Sequence, residues 1–167
     1  MSGRRSTSAR RYRYFIGIDP GKDGGIAVLN SSGRVIELLE MPSIGNEVDR
    51  VCLSEFFGKY SRTSRCFIEK IRPGKGARSM LSYGMNYGCL TMGLVCWKIP
   101  FEEIQPVDWK RHFNLINGKA SRREKKKLSI LRARELFPEG HLPKEGRIEK
   151  DGIAEALLIA EYGRQTR

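Results

Sequence analysis

Two acids close apolar runs in this sequence, and a third lies inside one. The run YFIGID begins at Tyr14 and ends on Asp19, directly before Pro20-Gly21, and the run CFIE ends on Glu69 in the same manner. A carboxylate at the end of a strand sits at the rim of its sheet, so neighbouring strands would bring both acids to one edge. For either acid taken alone, a turn cap or a solvated side chain is the better reading. Near the C terminus, Glu155 stands among Ala154, Ala156, Leu157, Leu158, Ile159 and Ala160, with Asp151 four residues earlier. On a helix that spacing puts both acids on one face. Burying an unpaired carboxylate is costly, and like charges one turn apart repel, so their presence beside an apolar face points to a shared positive ligand. The alternative is that Asp151 caps the helix and Glu155 pairs with a Lys or Arg. Four carboxylates without a His or Cys cluster form an all-oxygen donor set suited to Mg²⁺ or Mn²⁺. Phosphodiester hydrolysis needs two such ions roughly 3.5–4 Å apart, one activating water and one stabilising the leaving oxygen, with Asp19 best placed to bridge them.

The elements that must position these acids follow from periodicity. YFIGID, GGIAVLN and RVIELLEM are short apolar runs separated by Pro20-Gly21 and Ser31-Ser32-Gly33, and predict three hairpin-linked strands. Apolar residues at Val48, Val51, Cys52, Phe56 and Phe57 predict a helix to Tyr60, leading into the strand CFIE. After the basic loop RPGKGAR, residues 79–95 predict a helix in which Gly84 and Gly88, one turn apart, allow close packing. PFEEIQP predicts a strand ended by Pro106, and VDWKRHFNL a short helix. From Arg122 a strongly cationic start continues into an amphipathic helix with Ile130, Ala133 and Phe137 on one face. DGIAEALLIAEYG predicts a last helix. There is no internal repeat, and the expected organisation is a basic tail over residues 1–13 and one domain over 14–167.

With 31 Lys and Arg against 19 Asp and Glu, the formal charge is +12, and a polyanion is the natural partner. Cys52, Cys66, Cys89 and Cys96 form no C-x-x-C pair and have apolar neighbours, so they are expected to be buried thiols in a reducing compartment. Neither His112 nor His141 stands at zinc-ligand spacing from a Cys pair. No run is long and apolar enough for a membrane span, and MSGRRSTSARRYRY lacks the apolar stretch of a secretory signal. A soluble protein is expected, in a bacterial cytoplasm or in an organelle, because Arg- and Ser-rich, acid-free starts also occur in transit peptides.

The ordered set FIGIDPGKDGGIAVL, FIEK, PGKGARSMLSYGMNYG, QPVDWKRHF, S-x-x-x-A-x-x-L-F-P from Ser129 to Pro138, and DGIAEALLIAEYG resembles RuvC-like Holliday junction resolvases. The likeness is closer to their phage, bacterial and monokaryotic-chloroplast branch and covers most of the chain from Phe15 to Gly163. It implies a ribonuclease H-like α/β fold, with a mixed five-stranded sheet flanked by helices. It also implies a homodimer that makes two symmetric nicks across a four-way DNA junction. By position, Asp19, Glu69, Asp151 and Glu155 become catalytic ligands of two Mg²⁺ ions, which Mn²⁺ is expected to replace. The RuvC pattern more often has Asp-x-x-Asp in its last helix, whereas Asp151 and Glu155 stand four apart. The family's basic residue near the scissile phosphate corresponds to Lys126 or Lys127, with a solvated cationic face as the plain alternative. Arg72, Lys75 and Arg78 would face the junction centre, and Lys110, Arg122 and Arg123 are further cations expected on DNA. The Gly84/Gly88 helix is the expected dimer surface, with an internal helix-on-sheet contact as the alternative. Two other functions fit the same residues: a ribonuclease H acting on RNA–DNA hybrids, and a non-catalytic binder of branched nucleic acid whose acids serve structure.

Overall fold

The computed structural model describes residues 12–70, 77–118, 120–138, 148 and 150–166, without the side chains of residues 77–79. Among these residues seven strands and five helices run in the order β1 (Tyr14–Asp19), β2 (Gly25–Asn30), β3 (Val35–Glu40), β4 (Ser43–Ile44), β5 (Glu47–Val48), α1 (Arg50–Tyr60), β6 (Ser64–Glu69), α2 (Ala77–Cys96), β7 (Phe101–Ile104), α3 (Pro106–His112), α4 (Arg122–Leu136) and α5 (Asp151–Thr166). Five strands form one mixed sheet in the order β3-β2-β1-β6-β7. β1 pairs antiparallel with β2 and parallel with β6, and β6 pairs parallel with β7. This is the α/β architecture expected from the sequence.

Alternation along β1 divides the core in two. Ile16 and Ile18 join Ile26, Val28, Cys66 and Ile68 under α1 and α2, against Leu53, Phe56, Phe57, Leu90 and Leu94. On the opposite face Ala27, Leu29 and Phe67 meet Trp109, Ala133, Phe137 and the apolar side of α5. Gly17 makes the second layer possible, because a Cβ there would stand 2.1 Å from the Ala156 carbonyl oxygen and 2.3 Å from the Ala160 nitrogen. The helix backbone therefore lies directly on the central strand. Gly152 does the same at the start of α5, where a Cβ would meet the Asp23 carbonyl at 2.1 Å. These two approaches fix the height of α5 above the end of β1.

Local signals set the helix starts. Asp49 caps α1 by accepting from the Val51 and Cys52 N–H groups, and Ser121 with Glu124 forms a reciprocal capping box on α4. Several expectations are corrected. Val48 belongs to β5, in a small hairpin with β4, and the helix starts two residues later. Pro106 opens α3 as well as following β7, since its missing N–H is harmless in a first turn. A Cβ at Gly84 or Gly88 meets nothing within 4 Å, so neither glycine serves an internal contact; Gly93 does, with Phe57 carbons at 3.0 Å. Of the cysteines only Cys66 is buried; Cys52 and Cys89 are partly exposed and Cys96 is exposed, because apolar neighbours in sequence do not define a helix face. No helix among the described residues is long and apolar enough to cross a membrane.

Candidate active site

Parallel pairing of β1 with β6 in the register Ile18↔Ile68 makes Asp19 and Glu69 the next residues on adjacent strands. Neutral donors hold both acids. Asp19 Oδ1 accepts the Gly21 N–H at 3.2 Å, inside the turn made by Pro20-Gly21, and Glu69 Oε2 accepts Trp109 Nε1 at 2.8 Å. Trp109 is fully buried on α3, immediately after β7, so the indole orients Glu69 from beneath.

The first two turns of α5 supply Asp151 and Glu155, and both have cationic partners. Glu155 Oε1 accepts from Ser129 Oγ of α4 at 3.0 Å and lies 3.6 Å from Lys110 Nζ of α3. Asp151 pairs with Lys126 of α4. The Glu155 side chain is 16% exposed, which makes this pairing consequential. The ion pairs of the sequence-based alternative are thus present, Glu155 with Lys110 and Asp151 with Lys126.

Electrostatics joins the two pairs. The Asp19 carboxyl is pushed up to about 7 by burial first, then by the negative charges of Glu155 and Glu69, while the Gly21 N–H and Lys110 pull it down. Tyr83, half-buried on α2, is pushed up to about 12 by burial and then by Asp19 and Glu69, which places its phenol in the same neighbourhood. Asp19, Glu69 and Glu155 therefore share one field. As placed, no three Asp, Glu, His or Cys groups among the described residues form a ready-made metal cluster. The donor chemistry nonetheless fits a hard divalent cation: the groups are all oxygen, and ionising Asp19 is resisted by its own neighbours, a resistance that added positive charge would relieve.

No protein-family model matches the sequence, and no curated protein does. Among solved structures the chain is similar to Thermus thermophilus RuvC in complex with Holliday junction substrate, at 19% identity and a TM-score of 0.66, over 92% of this chain and 96% of that one. It is also similar to a second Thermus thermophilus RuvC structure, at 19% identity and a TM-score of 0.60, over 91% and 96% of the two chains. The fold is that of RuvC.

Within this RuvC-type fold the sequence-derived residues separate into groups. Asp19, Glu69 and Glu155 interact electrostatically, whereas Asp151, one turn before Glu155 on α5, pairs with Lys126. Lys127 is exposed and lines a hollow with Asn117, Ala120, Glu124, Leu128 and Leu131, whereas Lys126, its neighbour in sequence, reaches Asp151. Lys110 also lies among the acids, while Arg122 and Arg123 are exposed on the first turn of α4. Arg72, Lys75 and the Arg78 side chain lie outside the described residues.

Trp109, Ser129 and Tyr83 have no role assigned from sequence, although all three stand in the quoted motifs. The available signals were modest: an indole beside Lys110, and a serine four residues before Ala133 on the apolar side of α4.

Proposed function

We propose that the chain from residue 14 onward acts as one structure-selective endodeoxyribonuclease domain that resolves Holliday junctions by paired symmetric nicks. The observation that carries this is the meeting of Asp19, Glu69 and Glu155 in one electrostatic neighbourhood, at the edge of a sheet with the RuvC fold. That the RuvC of Thermus thermophilus was solved with Holliday junction substrate supports the choice of DNA. Asp19, Glu69, Asp151 and Glu155 would hold two Mg²⁺ ions, or Mn²⁺ in their place, which supply an activated water and charge neutralisation at the leaving oxygen.

The chain's own residues orient and neutralise. Trp109 orients Glu69, and Ser129 orients Glu155 while Lys110 offsets its charge. Lys126 is better placed than Lys127 to stabilise charge on a phosphate at the acids. Arg122, Arg123 and the basic segment containing Arg72, Lys75 and Arg78 supply phosphate contacts, in keeping with the net charge of +12.

A second copy of the chain is assigned to the outer face of α2. Leu81, Met85, Met92 and Val95 are 67%, 48%, 59% and 57% exposed, at heptad-like spacing, and Gly84 and Gly88 leave open space beside them. A charged pair of substitutions, M85K with M92K, should lower the sedimenting mass; an unchanged mass would remove this face from consideration.

The deciding experiment incubates the full chain with a mobile four-way junction, a linear duplex and an RNA–DNA hybrid in Mg²⁺ or Mn²⁺. Cutting confined to the junction, abolished in Asp19→Ala with binding retained, is expected. Equal cutting of all three would end the resolvase reading. Cutting of the hybrid alone would indicate a ribonuclease H, and junction binding without cutting would indicate a binder.

A further inference from the structure

Two ammonium groups already occupy carboxylates that the nuclease reading gives to divalent ions. Lys110 extends from α3 across the Trp109 ring, 4.7 Å from its centroid, to Glu155, and Lys126 extends from α4 to Asp151. Their side chains are 33% and 40% exposed, so each is partly covered yet has a way out to solvent. Single charges of this kind offset only part of the charge of the four carboxylates that the nuclease reading assigns to metal. Two divalent ions would bring four positive charges to the same oxygens, and an ammonium group in contact with them would then be repelled. A lysine head is compact, strongly hydrated and carried on a flexible stem, so displacement requires rotamer changes and no backbone movement. One turn before Lys126 on α4, Arg122 and Arg123 add further exposed cations.

We propose that Lys110 and Lys126 are exchangeable counter-cations, paired with Glu155 and Asp151 in the metal-free protein and released to DNA phosphates when divalent cations take those carboxylates, a step that rests on the metal-dependent nuclease reading of the site. The exchange couples the two ligands. Metal binding frees two positive charges for DNA, and bound DNA, by drawing the ammonium groups away, tightens the metals by the same factor. It also gives Glu155 a cationic partner in both states, so that it is never unpaired in its mostly buried position.

The test compares the salt dependence of four-way junction binding for wild type and for Lys110→Met with Lys126→Met. Each is measured in EDTA and at fixed free Ca²⁺, with intact strands verified on a denaturing gel. Each phosphate contact contributes about 0.9 to the slope of log K against log salt. In EDTA the two proteins should have parallel slopes. In Ca²⁺ wild type should be steeper by about 1.8, so that across a tenfold rise in salt it loses roughly 60-fold more affinity than the double variant. Either single variant should show about half that difference in slope, which keeps the test open if the double variant folds poorly. Lys125→Met, which removes an exposed charge from the same helix outside these pairs, should show one slope difference from wild type in both conditions. Equal differences in EDTA and Ca²⁺ for the double variant, or none in Ca²⁺, would overturn the exchange. A wild type that cuts the junction in Mg²⁺ yet shows this result loses the exchange alone. One that neither cuts the junction nor responds to divalent ions loses the nuclease reading and the exchange together.

Discussion

The strand acids and the helix acids of this site are held by opposite means. Asp19 and Glu69 accept hydrogen bonds from neutral groups, a backbone N–H and a buried indole, on elements fixed by the sheet and its two cores. Asp151 and Glu155 face lysines carried on α3 and α4, and Glu155 has a serine hydroxyl besides. Neutral donors orient a carboxylate without cancelling its charge, so surplus charge remains beside Asp19, whose carboxyl is pushed up to about 7 by burial first and then by Glu155 and Glu69. Lysines cancel charge but hold geometry loosely. Placement is thus built into the strands, while adjustable charge is built into the helices.

The largest effect should come from Asp19→Asn. The amide keeps the Oδ1 acceptor for the Gly21 N–H but removes the charge, so junction cleavage should fall on the order of 10²–10³-fold or more with binding retained. The same variant should stabilise the metal-free protein at pH 8, by at most about 4 kcal/mol, because an ionised Asp19 is unfavourable there. A variant that loses cleavage without gaining metal-free stability would mean that Asp19 is not the point where the surplus charge collects.

The pH dependence of the native protein sharpens the contrast. The folded-state value of Asp19, about 7, lies above its ordinary value of 3.8, so the folded state binds the proton more tightly than the unfolded chain. The stability this contributes is complete below about pH 4 and is lost as pH rises through 7. Metal-free protein should therefore melt at a lower temperature at pH 8 than at pH 5, and Mg²⁺ should restore the melting temperature at pH 8. Because a metal ligand must be deprotonated, cleavage should run the other way and fall as pH drops below 7. Thermal melts and initial rates over pH 5–8 check both signs. Parallel trends in stability and activity would contradict the assignment.

Much of the strand side was legible in the sequence, and much of the helix side was not. An apolar run that ends on an acid before Pro-Gly states both its element and its edge, and YFIGID and CFIE do so for Asp19 and Glu69. Glu155 was legible through its setting of Ala, Leu and Ile, which makes an acid conspicuous. The partners of these acids come from elements distant in the chain. Nothing local tells Lys126 from Lys127, and only the angle at which α4 meets α5 decides which one reaches Asp151. Trp109 is similar, since a buried indole is read as core until β7 is paired with β6 and α3 is set beneath Glu69. The β4–β5 hairpin was missed because two-residue strands carry no periodicity.

Trp109→Phe tests the neutral anchoring of the strand side. Phenylalanine fills most of the space but cannot donate to Glu69, so stability should fall by about 2–3 kcal/mol. Loss of an orienting partner of a metal-binding carboxylate should lower divalent-cation affinity or cleavage by roughly 10- to 100-fold. Calorimetric titration with Mn²⁺ separates this from simple destabilisation, and unchanged Mn²⁺ affinity in a folded variant would show that Glu69 needs no anchor.

The smallest effect is expected on the helix side, from Ser129→Ala. The serine is almost fully buried and donates to Glu155 Oε1, yet its removal creates no sizeable cavity and leaves Lys110 3.6 Å from the same oxygen. The loss should be about 0.5–1.5 kcal/mol in stability, with only a few-fold fall in cleavage. Because Glu155 has a second partner in Lys110, the serine should matter more once the lysine is gone. In a Lys110→Met background Ser129→Ala should cost clearly more than in wild type, an interaction of roughly 0.5 kcal/mol or above. Strict additivity in that double-mutant cycle would mean that serine and lysine act on Glu155 independently, and the redundancy assigned to the helix side would be absent.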